Sequence, residues 1–143
     1  MQYRELGTSG LTLSAIGLGT MTWGEQNTEA EAHAQMDRAI AAGVNLFDAA
    51  EMYPVPPRPE TYGLTETFIG TWLKRHGRPD GLMIASKVIG PGAFPYIRGG
   101  PLLKREQVIA ACEASLKRLQ TDVIDLYQVH WPERGTNYFG KLG

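Results

Sequence analysis

One pattern constrains this chain more than any other: short apolar segments alternate with amphipathic helical segments from residue 15 onward. Residues 15–20, 44–48, 82–87 and 123–129 each read as a strand. Between them lie helical stretches. Thr28 with Glu31 makes a T-x-x-E capping box, Ala32, Met36, Ala39 and Ile40 fall on one face, and Gly43 stands where a helix C-terminus favours a left-handed residue. A second helix is predicted over residues 65–76, burying Phe68, Ile69, Trp72 and Leu73 before Gly77. A third spans 104–119, with Val108, Cys112, Leu116 and Leu119 on its buried stripe. Residues 2–13, around Gly7-Thr8-Ser9-Gly10, read as a hairpin-like start.

Repeated strand–helix alternation implies parallel strands joined by crossover helices. Such strands are short and apolar because both faces are covered. An open doubly wound sheet and a (β/α)8 barrel both satisfy this pattern, and patterning alone leaves them undivided. The loops add an asymmetry. Strand exits are long and polar (20–27, 48–64, 87–101, and from 130 onward). Helix exits are tight, at Gly43, at Gly77 and at Gln120-Thr121-Asp122. Function is therefore expected at the strand C-terminal rim, drawn from several strands at once, as in barrel enzymes.

Four chemically competent residues lie at those exits: Asp48, Tyr53, Lys87 and His130. Strand parity puts Met83, Ala85 and Lys87 on one face, and Ile124, Leu126, Gln128 and His130 on one face. Carbonyl reduction needs a hydride and a proton for the forming alkoxide. A tyrosine holds its proton tightly, and a neighbouring ammonium is expected to lower its pKa. An aspartate would anchor the lysine, and a histidine would donate to the carbonyl oxygen and orient it.

Bulk properties fit a single domain over residues 1–143. The net charge of -1 makes no electrostatic case for nucleic acid or an anionic membrane. Cys112, the single cysteine, excludes an internal disulfide and is expected to be a small buried helix residue. The start carries neither a basic nor an apolar leader region, and no apolar run is long enough to span a bilayer, so a cytoplasmic location is expected. Gly17-x-Gly19 lacks the third glycine of a dinucleotide fingerprint. No Cys/His spacing suits zinc. His33 and His76 read as ordinary helix residues. Glu25, Glu51, Glu60 and Glu66 read as solvent-facing or capping residues.

The blocks Gly17-Leu18-Gly19-Thr20-Met21-Thr22-Trp23-Gly24, Phe47-Asp48-Ala49-Ala50-Glu51-Met52-Tyr53, Ala85-Ser86-Lys87 and Asp125-Leu126-Tyr127-Gln128-Val129-His130-Trp131-Pro132 resemble, in order, the signature blocks of the aldo-keto reductases. The stretch from Glu51 to Thr61 and the stretch from Asn137 to Gly143 are similar to the bacterial Tas-type branch. This resemblance implies a (β/α)8 barrel with an N-terminal hairpin and NADPH-dependent reduction of aldehydes or ketones. It implies that Asp48, Tyr53, Lys87 and His130 are the catalytic set. Gly19, Thr20, Met21 and Asp48 would lie against the cofactor, and Trp23, Tyr53 and Trp131 would wall the substrate pocket.

A full barrel runs to about 250 residues, whereas four strand–helix steps are begun within these 143. The expectation is the N-terminal half of a barrel, cut after its fourth strand. The family's amide-binding Ser-Asn pair, ring-stacking aromatic and basic 2′-phosphate motif have no counterpart here. Reduction would then require the other half. A half barrel exposes strand edges, which are a template for self-pairing or aggregation. A non-catalytic cofactor-sensing module and a self-associating half barrel are the alternative readings.

Overall fold

Thr28 opens the first helix as its spacing requires. In the computed structural model, which describes residues 1–134, its hydroxyl accepts from the Glu31 amide while the Glu31 carboxylate accepts from the Thr28 amide. The resulting helix α1 (Glu29–Ala41) buries Ala32, Met36 and Ala39. The other elements are β1 (Tyr3–Glu5), β2 (Thr12–Ser14), β3 (Leu18–Gly19), β4 (Leu46–Asp48), α2 (Leu64–His76), β5 (Met83–Val88), α3 (Arg105–Leu119) and β6 (Leu126–Val129). Three of the four sheet strands, β3, β4 and β6, are shorter than their apolar runs suggest, because only the paired core of each run enters the ladder, while β5 keeps its expected length shifted by one residue. The Tas-like stretch from Asn137 to Gly143 lies outside the described residues.

Strands β3-β4-β5-β6 form one parallel sheet in chain order. Among the described residues no strand-order reversal interrupts it, so this part of the sheet has no switch point of the kind that defines a doubly wound fold. Consecutive parallel order is what a barrel segment requires. β1 and β2 pair separately as an antiparallel hairpin.

The hairpin is fastened beneath the sheet chiefly by the Asn45 side chain. Asn45 Oδ1 accepts from the Ser14 amide at 2.6 Å, and its Nδ2 donates to the carbonyls of Thr12 and Gly81. Tyr3 adds a hydroxyl bond to the Gly43 carbonyl at 2.8 Å.

The main core joins Phe47 and Ile84 of the sheet to Met36, Ile69, Trp72 and Leu73 of α1 and α2, with Leu119 from α3. Phe47 in β4 and Ile84, Ala85, Ser86 and Val88 in β5 are buried, whereas Leu46, Asp48, Met83, Lys87, Leu126 and Gln128 stay half-buried. Helices thus cover one face. The helices described pack against the face that carries Phe47 and Ile84.

Two further expectations need correction. The buried seam of α3 is Ala111, Ser115 and Leu119, while Val108, Cys112 and Leu116 are half-buried. The cause is close helix contact: a Cβ on Gly70 of α2 would lie 2.1 Å from the Arg118 carbonyl oxygen, so small residues must line the seam. Glu51 and Glu66 are fully buried rather than solvent-facing. Glu66 accepts from Ser86 Oγ at 2.5 Å and from Arg118 Nε at 2.7 Å. Both charges are therefore matched inside the protein, which is what permits their burial. His33 and His76 make ordinary helix-side bonds, to the Phe68 carbonyl and Thr71 hydroxyl and to the Trp72 carbonyl. No helix among the described residues is long and apolar enough to cross a membrane.

Candidate active site

Parallel pairing brings the strand exits together. Gly19 is opposite Asp48, Asp48 opposite Ala85, and Lys87 opposite Gln128. Pairing persists past the strand end, where the Ala49 amide donates to the Ala85 carbonyl and the Glu51 amide to the Lys87 carbonyl. This ladder holds residues 48–53 against the end of β5.

On that frame the four candidates meet. Lys87 Nζ donates to Asp48 Oδ2 at 2.9 Å and to the Ala49 carbonyl at 2.7 Å. It also stands 4.9 Å from the centre of the Tyr53 ring. The Tyr53 and His130 rings meet edge to face, with centroids 5.6 Å apart and planes at 81°. The carboxylate, ammonium, phenol and imidazole therefore form one cluster on one rim.

Its electrostatics differ from the simple expectation. Burial, and then the Asp48 carboxylate, push the Tyr53 phenol above its ordinary value. A lowered value was expected from the neighbouring lysine, but the ammonium makes its bonds to Asp48 and Ala49. Tyr53 thus holds its proton firmly at neutral pH. Burial, reinforced by the Lys87 charge and opposed by Asp48, lowers His130 to about 4. Its imidazole is neutral at pH 7, able to donate from one nitrogen and accept at the other. His130 Nδ1 is buried without a hydrogen-bond partner among the described residues.

A recess of about 250 Å³ opens beside the cluster, lined by Met21, Met52, Tyr53, Val55 and His130. Met21 and Tyr53 both line this recess. Gly19 and Met21 are exposed at the rim. Thr20 is fully buried, and its hydroxyl and amide both donate to the Asp48 carbonyl, at 2.8 and 3.2 Å. It ties β3 to β4 and presents no free side-chain group.

The tryptophans do not wall this recess. Trp23 is 1% exposed within the main core, and its Nε1 donates to Gln35 of α1. Trp131 is buried behind His130, its Nε1 donating to the Pro91 carbonyl at 2.9 Å and its ring against Phe94. Met52 and Val55 line the recess without having been singled out, since an apolar residue in a Pro-rich loop carries no local signal. Glu51, read in the sequence as solvent-facing or capping, and Arg98, unmarked there, brace the rim from behind, with Arg98 Nη2 donating to Glu51 Oε1 at 3.1 Å.

Comparison with known proteins agrees with this architecture. The profile of the Aldo/keto reductase family matches residues 15–140. The chain is 61% identical to Protein tas of Escherichia coli (strain K12), an alignment covering 100% of this chain and 42% of that protein. It is 39% identical to the uncharacterized oxidoreductase YrpG of Bacillus subtilis (strain 168), covering 95% of this chain and 42% of that one. The solved aldo-keto reductase AKR11C1 from Bacillus halodurans, in its holo form, superposes with a TM-score of 0.72 at 36% identity, covering 90% of this chain and 40% of that one. The chain thus spans less than half the length of these relatives, and its four parallel strands correspond to the N-terminal half of their TIM barrel. With its profile matched across most of these residues, the chain belongs to the aldo/keto reductase family.

Proposed function

We propose that this chain supplies the proton-delivering side of an NADPH-dependent reductase that converts aldehydes or ketones to alcohols. The observation that carries the reading is the junction of Lys87, Asp48, Tyr53 and His130 at one rim beside an apolar recess. Turnover is expected once the chain is joined to the C-terminal portion its relatives carry.

The residues present suit the nicotinamide end of the cofactor. Gly19 and Met21 leave an open, uncharged edge, and a Cβ at Gly19 would meet nothing within 4 Å. When bound, NADPH would supply the hydride. The chain's own residues do the rest. His130, neutral at pH 7, donates to the substrate carbonyl oxygen and orients it. Tyr53 releases its hydroxyl proton to that oxygen as negative charge develops there. An alkoxide is a stronger base than a phenolate, so the transfer runs forward even from a raised phenol pKa. Lys87, held by Asp48, offers positive charge beside the phenolate that remains. Met21, Met52 and Val55 keep the recess apolar, which favours substrates whose carbonyl sits on an uncharged body.

The test joins the chain to the C-terminal portion of a relative and follows NADPH oxidation with 4-nitrobenzaldehyde. Tyr53→Phe should remove turnover while leaving cofactor binding intact. If Tyr53→Phe keeps most of the turnover, its assignment as the acid is wrong.

A further inference from the structure

Behind the four-residue cluster lies an ion pair that the proposed chemistry does not use. Glu51, two residues before Tyr53, has no exposed surface. Its Oε1 accepts from the Ile89 amide at 2.8 Å and from Arg98 Nη2 at 3.1 Å, and its Oε2 pairs with Arg98 Nη1. Its own amide donates to the Lys87 carbonyl. One residue therefore holds the end of β5 at two points, the carbonyl of the lysine that faces Tyr53 and the amide two residues beyond it.

Arg98 reaches Glu51 only because its loop turns back on itself. Arg98 has φ of 50°, followed by Gly99 at 72° and Gly100 at 117°. A non-glycine residue in that region is strained and is kept only where surroundings impose it. The preceding Ile97 is fully buried in the same small core as Met52, Tyr53 and Trp131. The pair thus couples the loop after β4, which carries Tyr53, to the loop after β5, which packs under Trp131.

Stability alone is a poor reason for such a pair. Removing two charges from water costs about as much as their attraction returns, and apolar pairs of similar volume are often as stable. A bidentate guanidinium–carboxylate contact does fix geometry in a way that apolar contact does not.

We propose that the Glu51–Arg98 pair is a positioning device that sets Tyr53 against Lys87 and His130, a role that rests on the reductase reading above. Neither residue touches the reacting atoms. A displacement on the scale of 1 Å, introduced away from the chemistry, can cost about a hundred-fold in rate.

The test uses the chain joined to a relative's C-terminal portion, with kcat, cofactor Kd and Tm measured for each variant. Arg98→Met leaves the Glu51 carboxylate unpaired, so both Tm and kcat should fall, kcat by roughly ten- to a hundred-fold, with cofactor Kd little changed. The double variant Glu51→Leu/Arg98→Met removes both charges and should regain most of the lost Tm while kcat stays low. Arg98→Lys keeps the charge but not the fork. It should fold and recover part of the turnover, which keeps the proposal open to test if the other variants do not fold. Recovery of kcat in step with Tm in the double variant would overturn the proposal, because the pair would then be structural only. So would unchanged kcat in a folded Arg98→Met. Tyr53→Phe, measured alongside, separates these outcomes from failure of the reductase reading, which would show as turnover independent of Tyr53.

Discussion

Lys87 gives Asp48 a bond of 2.9 Å, while its ammonium stands over the Tyr53 ring, 4.9 Å from its centre. The aspartate therefore has two opposed effects. It holds the lysine in place, and its own charge raises the Tyr53 pKa.

Asp48→Asn separates those effects. Removing the carboxylate should lower the Tyr53 pKa, while burial still holds it high. At the same time the lysine loses its charged anchor and turnover should drop about 10²-fold or more. Carbon-13 labelled tyrosine spectra across pH, with Tyr53→Phe identifying the resonance, would measure the first effect. A Tyr53 pKa that rises in Asp48→Asn would contradict the assigned cause.

His130 should titrate near pH 4 in the folded protein, well below an ordinary histidine. Its folded value is depressed, so between pH 6.5 and 4 the unfolded chain binds more protons than the folded one. Stability from this group is full above about pH 6.5, declines as pH falls toward 4, and levels off below. Histidine ring resonances followed through acid, together with denaturant midpoints of the parent and His130→Gln, would check both points. The variant should lose this part of the acid sensitivity.

Gly70→Ala sets two terms against each other. Alanine inside a helix is normally favoured over glycine by about 1 kcal/mol. Here the added Cβ would sit 2.1 Å from the Arg118 carbonyl oxygen, a backbone atom that cannot swing aside. The clash wins, and a net loss of about 1–3 kcal/mol is expected by urea unfolding. A stabilised variant would mean that α2 and α3 do not approach this closely.

Glu66→Ala should destabilise by about 3–5 kcal/mol, because Arg118 would be left half-buried without its partner. Replacing both, as Glu66→Leu with Arg118→Met, should recover most of the loss. Unfolding midpoints of the single and double variants decide whether the pair acts as a unit.

How far the sequence could be read follows the range of each interaction. The Thr28–Glu31 box and the helix ends at Gly43 and Gly77 depend on residues a few positions apart, and each appears where spacing puts it. Glu66 with Arg118, or Glu51 with Arg98, lies about fifty positions apart, and nothing local marks a buried carboxylate. The same holds for α3, whose buried seam is dictated by Gly70 on another helix rather than by its own apolar stripe. Strand ends brought the four candidate side chains together because parallel pairing aligns exits automatically. Trp23 was misplaced because an aromatic near a glycine-rich strand end suits a pocket or a core equally well. Its burial in the main core and its bond to Gln35 separate the two.

Asn45 binds the hairpin, the start of β4 and the turn before β5 at the end of the sheet away from the recess. Folding and chemistry consequently depend on opposite ends of the same strands. The loops around Met52, Val55 and Phe94 carry none of the Asn45 bonds, so substitutions in them should leave the fastening of the hairpin untouched.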